Sequence, residues 1–277
     1  MRNLFSLNRI GVIQGRIAPR ETKKYQSFPF KNWVNEFKHL KKLKIKKIEW
    51  LFSSNNFERN PIFSSNGLKL IKKNLKKYNL STPSLIVDYI IDNPFFKKKY
   101  QSQKKIILRT LNKIIKNSKK LKIKYIIFPL LEGSSLRNSS ELKIFKYEMK
   151  KFLPVLKKNN QAILFETNLE PKKNLNLIKY FNKKYFGINY DMGNSAGNNF
   201  SPLDEKIFFS FVKNVHIKDK TRSGKTVRLG LGRVNFKLIF RLLRKYKYKG
   251  NFIFETARAK ENQVKEIDKN LNFLQNL

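Results

Sequence analysis

Residues 162–191 read AILFETNLEPKKNLNLIKYFNKKYFGINYD and contain two short apolar runs on either side of a longer amphipathic segment. The first run ends at Glu166 and the second at Asp191. Apolar runs of this length predict buried strands, and the segment between them has the apolar spacing of a helix. The stretch therefore predicts a strand, a helix and a second parallel strand, which is the repeating unit of α/β folds.

The same alternation extends along the chain in both directions. Eight short apolar runs predict strands, near residues 9–14, 47–52, 84–89, 125–130, 162–167, 186–191, 214–218 and 251–256. Eight amphipathic segments predict helices, near residues 30–43, 66–78, 97–121, 140–158, 172–182, 203–212, 235–246 and 260–275. Eight strands and eight helices predict an α/β protein with a single (β/α)8 barrel, a fold that typically needs ~250 residues. One domain over residues 1–277 is therefore expected.

Four polar residues end apolar runs in the second half of the chain: Glu166, Asp191, His216 and Glu255. They are separated by 25, 25 and 39 residues, which is the spacing of one strand plus one helix. Because the carboxyl ends of barrel strands meet at one mouth, the four side chains can share a single metal ion. Carboxylate and imidazole ligands suit a divalent Mn, Mg, Co or Zn ion. The sequence thus predicts a metal-dependent enzyme.

Three further carboxylates, Glu49, Asp88 and Glu132, also lie at or just beyond the ends of apolar runs. Together they predict an acidic mouth on a basic protein. For Glu49 and Asp88 a second interpretation is equally open, because each can cap the following helix or pair with a lysine. His216, taken alone, also fits a core histidine whose ring is satisfied by the backbone.

The composition is strongly basic, but the charge is spread out. The formal net charge is +42, and of the 61 basic residues 48 are Lys and 13 are Arg, distributed over nearly every predicted helix. A nucleic-acid-binding surface would concentrate basic residues on one face. The abundance of Lys, Asn, Ile and Phe is instead typical of an AT-rich genome, so nucleic acid is not an expected partner. The positive electrostatic field of such a surface would still favour the binding of phosphorylated or nucleotide-linked sugars.

The sequence predicts neither a membrane segment nor a secretory signal. Its apolar runs are far shorter than the ~18 residues that span a bilayer. The first sixteen residues, MRNLFSLNRIGVIQGR, lack a long apolar core and a small-residue cleavage site. The chain has no cysteine, which excludes disulfides and thiolate catalysis. A cytoplasmic enzyme is therefore expected.

Several segments together resemble the xylose isomerase-like TIM barrel superfamily, and within it the bacterial sugar phosphate isomerase/epimerase group. These segments are GVIQGRIAP, KIEWLF, ILFETNLEP, INYDMGNSAG, VHIKDK with GLGRVNF, and FIFETAR. The resemblance implies an enzyme that acts on a keto or aldo sugar with one divalent metal ion. It places Glu166, Asp191, His216 and Glu255 on the metal-ligand positions. Relatives often pair or form tetramers, so a homo-oligomer is one of the states that the resemblance leaves open.

The implied reaction is proton transfer through a metal-stabilised enediolate. Glu166 and Glu255 would face opposite sides of the substrate carbon and act as catalytic acid and base, which gives either epimerisation or isomerisation. Seven further residues are expected to line the substrate pocket. Lys218 points to the same side of its strand as His216, and Arg222 stands where related epimerases place a substrate-contacting arginine. The other expected substrate-binding residues are Gln14, Arg16, Glu132, Asn168 and Asn194.

Two departures from the family pattern concern the same mouth. Relatives commonly carry Gly-Glu-Gly where this chain has Gly230, Leu231 and Gly232, and many have an Asp-x-x-His pair where this chain has Asp191 and Asn194.

Three alternative functions stay open: a metal-dependent sugar dehydratase, a non-catalytic sugar-binding barrel, and a relative of abasic-site endonucleases. The last needs a three-zinc centre with several histidines, whereas His216 is the one histidine at a predicted strand end.

Overall fold

A computed structural model describes residues 6–259 and 261–277. Within these residues eight parallel strands close into a barrel, in the order β1-β10-β7-β6-β5-β4-β3-β2. The barrel strands are β1 (Ile10–Ile13), β2 (Lys47–Leu51), β3 (Ser84–Ile86), β4 (Tyr125–Leu130), β5 (Ala162–Thr167), β6 (Phe186–Asp191), β7 (Val212–Ile217) and β10 (Asn251–Phe254). The predicted (β/α)8 barrel is confirmed, and β4, β5 and β6 have the predicted bounds.

Helices cover the outside of the barrel. They are α1 (Trp33–Lys42), α2 (Ser65–Tyr78), α3 (Tyr89–Asp92), α4 (Lys104–Lys120), α5 (Ser139–Lys150), α6 (Leu153–Asn159), α7 (Pro171–Lys179), α8 (Met192–Gly197), α9 (Pro202–Glu205), α10 (Phe236–Lys245) and α11 (Gln263–Gln275). Polar side chains start several of them, as when Ser64 accepts a hydrogen bond from the backbone N–H of Gly67. Such caps satisfy the free N–H groups of the first turn.

Short 3-10 helices join these elements. They are Leu7–Arg9, Phe57–Arg59, Pro61–Phe63, Lys98–Tyr100, Glu132–Ser134 and Lys206–Phe211.

Three predicted helices differ from the observed ones. The segment predicted as 140–158 divides into α5 and α6, because Pro154 lies in the first turn of α6 and cannot donate a backbone hydrogen bond. The helix predicted from residue 97 begins at Lys104, since residues 101–103 are exposed and have no apolar face to pack. The helix predicted over 203–212 is α9 followed by a 3-10 turn in which the adjacent Phe208 and Phe209 are both buried.

A small hairpin extends the barrel mouth after β7. It pairs β8 (Asp219–Lys220) with β9 (Thr226–Val227), between the predicted strand near 214–218 and the predicted helix near 235–246. The buried carboxylate of Asp219 accepts hydrogen bonds from the backbone N–H groups of Gly230 and Gly232, each at 2.9 Å. The glycine-rich segment is therefore wrapped around a carboxylate of its own chain.

Apolar side chains from all the barrel strands form one buried core that extends beneath the surrounding helices. No helix in residues 6–259 and 261–277 combines the length and the apolar character needed to cross a bilayer.

Candidate metal centre

The four residues at the predicted strand ends converge at the mouth of the barrel. Glu166 and Asp191 end β5 and β6, His216 lies in β7, and Glu255 directly follows β10. Each offers one oxygen or nitrogen atom, and these atoms lie within 4.8 Å of one another. All four side chains are buried. The structure thus brings together the predicted ligand set.

An irregularity in the sheet sets the register of two of these residues. The pairing of β6 with β7 shifts between Ile188 and Asn189, so that Asn189 lies opposite Asn214 and Asp191 lies opposite His216. Side chains alternate in direction along a strand, so residues two apart point to the same side. Asn189 and Asp191 therefore share a direction, which places an amide directly below a carboxylate.

Glu166 is held by two amides. Asn189 donates its Nδ2 to Oε2 of Glu166 at 2.7 Å, and Asn194 donates its Nδ2 to Oε1 at 2.8 Å. The backbone N–H of Asn194 also donates to Oδ1 of Asp191 at 2.7 Å. These hydrogen bonds fix the orientation of the two carboxylates. Asn194 therefore bridges two members of the group.

Lys218 lies between two carboxylates of the group. Its Nζ is 2.6 Å from Oε1 of Glu255 and 3.0 Å from Oδ2 of Asp191. Burial opposes a charged ammonium, but Asp191 and Glu255 outweigh it and raise the pKa of Lys218. The side chain runs across Gly193, where an added Cβ would be 2.6 Å from Cγ of Lys218. Only a glycine leaves room for the lysine along this path.

His216 is oriented by a carboxylate from the opposite side of the barrel. Its Nε2 lies 2.8 Å from Oε1 of Glu49, while Nδ1 faces Oε2 of Glu255 at 2.8 Å and Oε2 of Glu166 at 3.4 Å. Burial opposes protonation of the ring, yet the carboxylates, Glu49 foremost, raise the pKa of His216 well above 6.5. Ser84 in turn donates to Oε2 of Glu49 at 2.6 Å.

The pKa values of the other two acids shift in opposite directions. Burial raises the pKa of Asp191 to about 6, partly offset by the charge of Lys218. For Glu255 burial also opposes ionisation, but the neighbouring cations, Lys218 foremost, hold its pKa well below 4.5. Asp191 therefore takes up a proton at a higher pH than Glu255 does, although both belong to the same centre.

The centre fits a divalent cation in two respects. Among the described residues, both ring nitrogens of His216, Oε1 of Glu49 and Oε2 of Glu255 are buried without an aligned hydrogen bond, an arrangement that is costly unless a further group binds there. With the His216 ring neutral, as metal ligation requires, the formal charges also leave an excess of two negatives, which one divalent ion would neutralise. The four carboxylates are those of Glu49, Glu166, Asp191 and Glu255, and the two cations in contact with them are Arg16 and Lys218.

Two of the predicted substrate-binding residues lie close to this centre on the β1 side. The guanidinium of Arg16 is buried, with Nη2 3.6 Å from Oε1 of Glu255 and 2.6 Å from Oε1 of Gln26. Gln14 accepts a hydrogen bond from the backbone N–H of Leu51 at 3.0 Å, and its buried Nε2 has no partner among the described residues. Both side chains therefore retain polar atoms inside the barrel mouth.

Three other predicted substrate-binding residues are not part of the group. Glu132 and Asn168 line a separate cavity of about 510 Å³ at the ends of β4 and β5, and both are exposed. Asn168 donates there to Oγ of Ser135 at 3.1 Å. Arg222 is exposed in the turn of the hairpin between β8 and β9.

The residue-by-residue prediction missed the layer of polar residues beneath the centre. Asn214 donates to Oδ1 of Asn189 at 2.8 Å and to Oε2 of Glu49 at 3.3 Å. Because Asn189 donates to Glu166, the two asparagines connect Glu166 to Glu49. The sequence contains a signal for this layer, because an asparagine stands two positions before the predicted ligand in each strand. Asn189 precedes Asp191 in β6, and Asn214 precedes His216 in β7. For Glu49 neither helix capping nor lysine pairing is observed; it contacts His216 and Ser84.

Asp88 neither caps the following helix nor pairs with a lysine among the described residues. Its Oδ2 accepts a hydrogen bond from Nε2 of Gln26 at 2.9 Å, and its side chain makes no cap for the following helix α3. Burial, followed by the charge of Glu255, raises the pKa of Asp88 to about 7. Asp88 is therefore linked through Gln26 to Arg16 at the same mouth.

Solved structures share this fold at low sequence identity. D-allulose 3-epimerase from Methylomonas sp. is 13% identical, with a TM-score of 0.74 over 97% of this chain and 97% of that chain. The 3-keto-D-glucoside 4-epimerase from E. coli is 14% identical, with a TM-score of 0.71 over 97% of this chain and 99% of that chain. A xylose isomerase-like TIM barrel protein from Mycobacterium smegmatis in complex with magnesium is 12% identical, with a TM-score of 0.68 over 96% of each chain.

A comparison with curated proteins found no match. The family model described as xylose isomerase-like TIM barrel matches residues 37–277, which is most of the barrel and includes all four residues of the centre. The resemblance expected from the sequence motifs is therefore confirmed, and the chain belongs to the xylose isomerase-like TIM barrel family.

Proposed function

We propose that this protein is a divalent-metal-dependent isomerase or epimerase of a sugar or sugar phosphate. The observation that carries the proposal is the convergence of two buried glutamates, Glu166 and Glu255, on the same point as Asp191 and His216. Proton transfer beside a carbonyl needs a carboxylate at the carbon and a positive charge near the oxygen. The proposal takes residues 1–277 as one barrel domain and a small carbohydrate as the partner.

In this proposal Glu166, Asp191, His216 and Glu255 hold one divalent ion, of the Mn, Mg, Co or Zn class. When bound, the ion would supply positive charge that acidifies the C–H beside a sugar carbonyl and stabilises the charge left by the departing proton.

The two glutamates are assigned the proton transfer. They arrive from β5 and β10, which are separated in the barrel by β6 and β7, so they approach a shared substrate carbon from different directions. A proton removed by one and returned by the other inverts that carbon, which is epimerisation. A proton moved by one of them between neighbouring carbons gives isomerisation.

Their surroundings differ in a way that separates their roles. Both oxygens of Glu166 accept amide hydrogen bonds, which hold the carboxylate in place and occupy its lone pairs. In Glu255 only Oε1 is engaged in this way, by Lys218, while Oε2 makes no aligned hydrogen bond with a described residue. We therefore assign the first proton abstraction to Glu255 and the opposite face to Glu166.

The remaining assignments concern substrate binding. Arg16, Gln14 and Asn194 carry donors beside the centre and are proposed to bind sugar hydroxyls. Lys218 contacts Glu255 directly and is proposed to stabilise a substrate oxygen next to it. The more distant substrate-binding residues of this proposal are Glu132, Asn168 and Arg222. Support for a sugar substrate comes from the fold neighbours named as sugar epimerases.

The test is incorporation of solvent deuterium into a panel of ketoses, aldoses and their phosphates, with and without Mn²⁺. We expect metal-dependent exchange at one carbon by the wild type and loss of exchange in Glu255→Gln. Glu58→Gln serves as the matched control, since Glu58 is an exposed carboxylate outside the centre. Exchange at the wild-type rate in Glu255→Gln would remove Glu255 from the mechanism.

Three further measurements on the same protein separate the alternative functions: the mass of the product, the binding of sugars, and the cleavage of an abasic duplex. A dehydratase would incorporate deuterium and release a product lighter by one water, which mass spectrometry detects. A non-catalytic sugar-binding barrel would show no exchange with any sugar while still binding one. Cleavage of an abasic duplex by the wild type would instead support the endonuclease alternative.

A further inference from the structure

A cavity of about 370 Å³ opens beside the metal centre, between the loop after β1 and the segment after β10. Its lining includes Arg20, Tyr25, Thr226, Ala257 and Arg258. Ala257 is two residues beyond Glu255. The Tyr25 ring lies over the guanidinium of Arg16, at 4.7 Å from its centre, and Arg16 contacts Glu255. Two side chains in contact, Tyr25 and Arg16, therefore connect the cavity wall to the proposed catalytic carboxylate.

Most donors of the two lining arginines make no hydrogen bond to residues 6–259 or 261–277. A guanidinium carries five N–H donors. Arg258 donates from Nη1 to the backbone oxygen of Ala18 at 3.1 Å, and its buried Nε is unpaired within the described residues. Arg20 donates from Nε to the backbone oxygen of Lys24 at 3.1 Å. Neither arginine lies within ion-pair distance of a described carboxylate, so the cavity presents guanidinium groups without a counter-ion.

Like charges meet at this cavity. Burial lowers the pKa of Arg258 to about 10, and the next contribution is repulsion by Arg16. Two carboxylates lie nearby. Glu261 lines the cavity but is exposed, and Glu36 is buried with its Oε1 accepting the backbone N–H of Gly15 at 2.7 Å. Neither neutralises the arginines directly, so a bound anion would relieve the repulsion.

We propose that this cavity binds the phosphate ester of a phosphorylated sugar, with Arg258 and Arg20 as its main ligands and the sugar extending past Arg16 towards Glu255. This inference rests on the proposed function and names its substrate class. A phosphate group offers three acceptor oxygens and two charges, which suit the two arginines and the threonine that line this one cavity, Arg20, Arg258 and Thr226. The volume lies within the range of small-ligand sites.

The test is calorimetric titration of the full chain with inorganic phosphate and, separately, with acetate at fixed ionic strength. Fixed ionic strength is needed because a chain of net charge +42 attracts any anion weakly. We expect saturable phosphate binding by the wild type and at least about a tenfold loss in Arg258→Gln, as for removal of one charge-assisted hydrogen bond. Arg20→Gln should show a loss in the same direction, and because Arg20 is exposed this variant should fold normally.

Arg137→Gln is the matched control, since Arg137 is an exposed arginine that lines the other cavity at the mouth. It should bind phosphate like the wild type. Unchanged phosphate affinity in both Arg258→Gln and Arg20→Gln would overturn the proposal, as would equal losses in Arg137→Gln. Acetate binding as tight as phosphate binding would overturn the phosphate assignment in favour of a sugar acid.

The two proposals fail in different ways. Phosphate binding uses neither a metal ion nor turnover, so Glu255→Gln should abolish deuterium exchange and still bind phosphate. Loss of phosphate binding in Glu255→Gln would overturn the independence of the two sites. Absence of exchange in a wild type that binds phosphate would contradict the proposed reaction and leave the anion site in place.

Discussion

Oε1 of Glu49 lies 2.8 Å from Nε2 of His216, and both side chains are completely shielded from solvent. Glu49 comes from β2 and His216 from β7, on opposite sides of the barrel. This contact directs Nδ1 of the ring towards Glu166 and Glu255. A carboxylate on the far nitrogen of a metal-binding histidine fixes the tautomer and raises its basicity. Glu49 is therefore a positioning residue for the proposed metal site.

Glu49→Gln should weaken divalent-metal binding. The amide keeps the shape of the side chain but removes the negative charge that orients the His216 ring. Loss of such a partner typically lowers metal affinity by ~10–100-fold, and we expect a loss in this range for Mn²⁺ by calorimetric titration. Glu58→Gln, an exposed carboxylate, should bind Mn²⁺ like the wild type. Equal Mn²⁺ affinities in Glu49→Gln and the wild type would show that Glu49 does not act through His216.

Lys218→Met should make the metal-free protein less stable. Lys218 neutralises Asp191 and Glu255 at 3.0 and 2.6 Å, and its removal takes away the one cation within ion-pair distance of Asp191 among the described residues. Breaking a buried ion pair in this way costs about 3–5 kcal/mol of unfolding free energy. Saturating Mn²⁺ should restore more stability to the variant than it adds to the wild type, because the ion then replaces the missing charge. Urea unfolding with and without Mn²⁺ measures both effects.

Lys173→Met is the control for this prediction. Lys173 pairs with Glu170 at 3.0 Å on the surface, where both side chains are about two-thirds exposed. Exposed pairs contribute ~0–1 kcal/mol, so its unfolding free energy should stay close to that of the wild type at every Mn²⁺ concentration. If Mn²⁺ stabilised Lys218→Met and the wild type equally, Lys218 would not share the charge of the metal site.

Gly193→Ala should displace the side chain of Lys218, which runs across Gly193. The new methyl group would be 2.6 Å from Cγ and 2.9 Å from Cβ and Cδ of Lys218. Overpacking of this kind costs about 1–3 kcal/mol, which thermal unfolding would detect. Gly197→Ala lies in the same helix α8, but its methyl group would meet the flexible Lys220 side chain at ordinary or slightly tight distances, 3.2 Å from Cδ and 3.9 Å from Cβ. That variant should unfold within a degree or two of the wild type.

The sequence predicted the strands of the barrel well because each has a strong local signal. β5 and β6 are apolar runs closed by Glu166 and Asp191, and their bounds match the prediction. The convergence of the four metal-site residues also followed, since the carboxyl ends of parallel barrel strands meet at one mouth.

The contacts that complete the site could not be predicted from the same signals. The register shift between Ile188 and Asn189 has no local sequence mark, yet it sets which residues of β6 and β7 lie opposite each other. The partner of Glu49 comes from 167 positions further along the chain. The exposed position of Arg222 likewise depends on the β8–β9 hairpin, in which Asp219 accepts a hydrogen bond from the backbone N–H of Gly230, 11 residues further along the chain.

A pH-dependent stability should arise from Glu205, which lies behind helix α8. Its Oε2 accepts hydrogen bonds from the hydroxyls of Ser195 at 2.6 Å and Tyr190 at 2.7 Å, and the carboxylate is buried. Burial raises its pKa to about 7; the two hydroxyls partly offset this effect, and Asp204 adds to it. Between about pH 4.5 and 7 the folded state therefore holds a proton that the unfolded state releases.

The sign of the effect follows from this difference in bound protons. Because the folded state binds more protons, the contribution of Glu205 to the unfolding free energy is greatest below its unfolded pKa and is lost as pH rises to about 7. Glu205→Gln keeps the hydrogen-bond acceptor but does not titrate. The stability of the wild type relative to this variant should thus fall, by on the order of 1–3 kcal/mol, between pH 4.5 and pH 8.

The difference between the two proteins is the measured quantity, because Glu36 and Asp88 also have raised pKa values, of about 8 and about 7, and affect both proteins alike. Urea unfolding at a series of pH values gives the two free energies, and Asp204→Asn tests the neighbouring charge. That substitution should lower the pKa of Glu205 and reduce the pH dependence. A constant difference across this range would show that the hydroxyls of Ser195 and Tyr190 fully compensate the burial of the carboxylate.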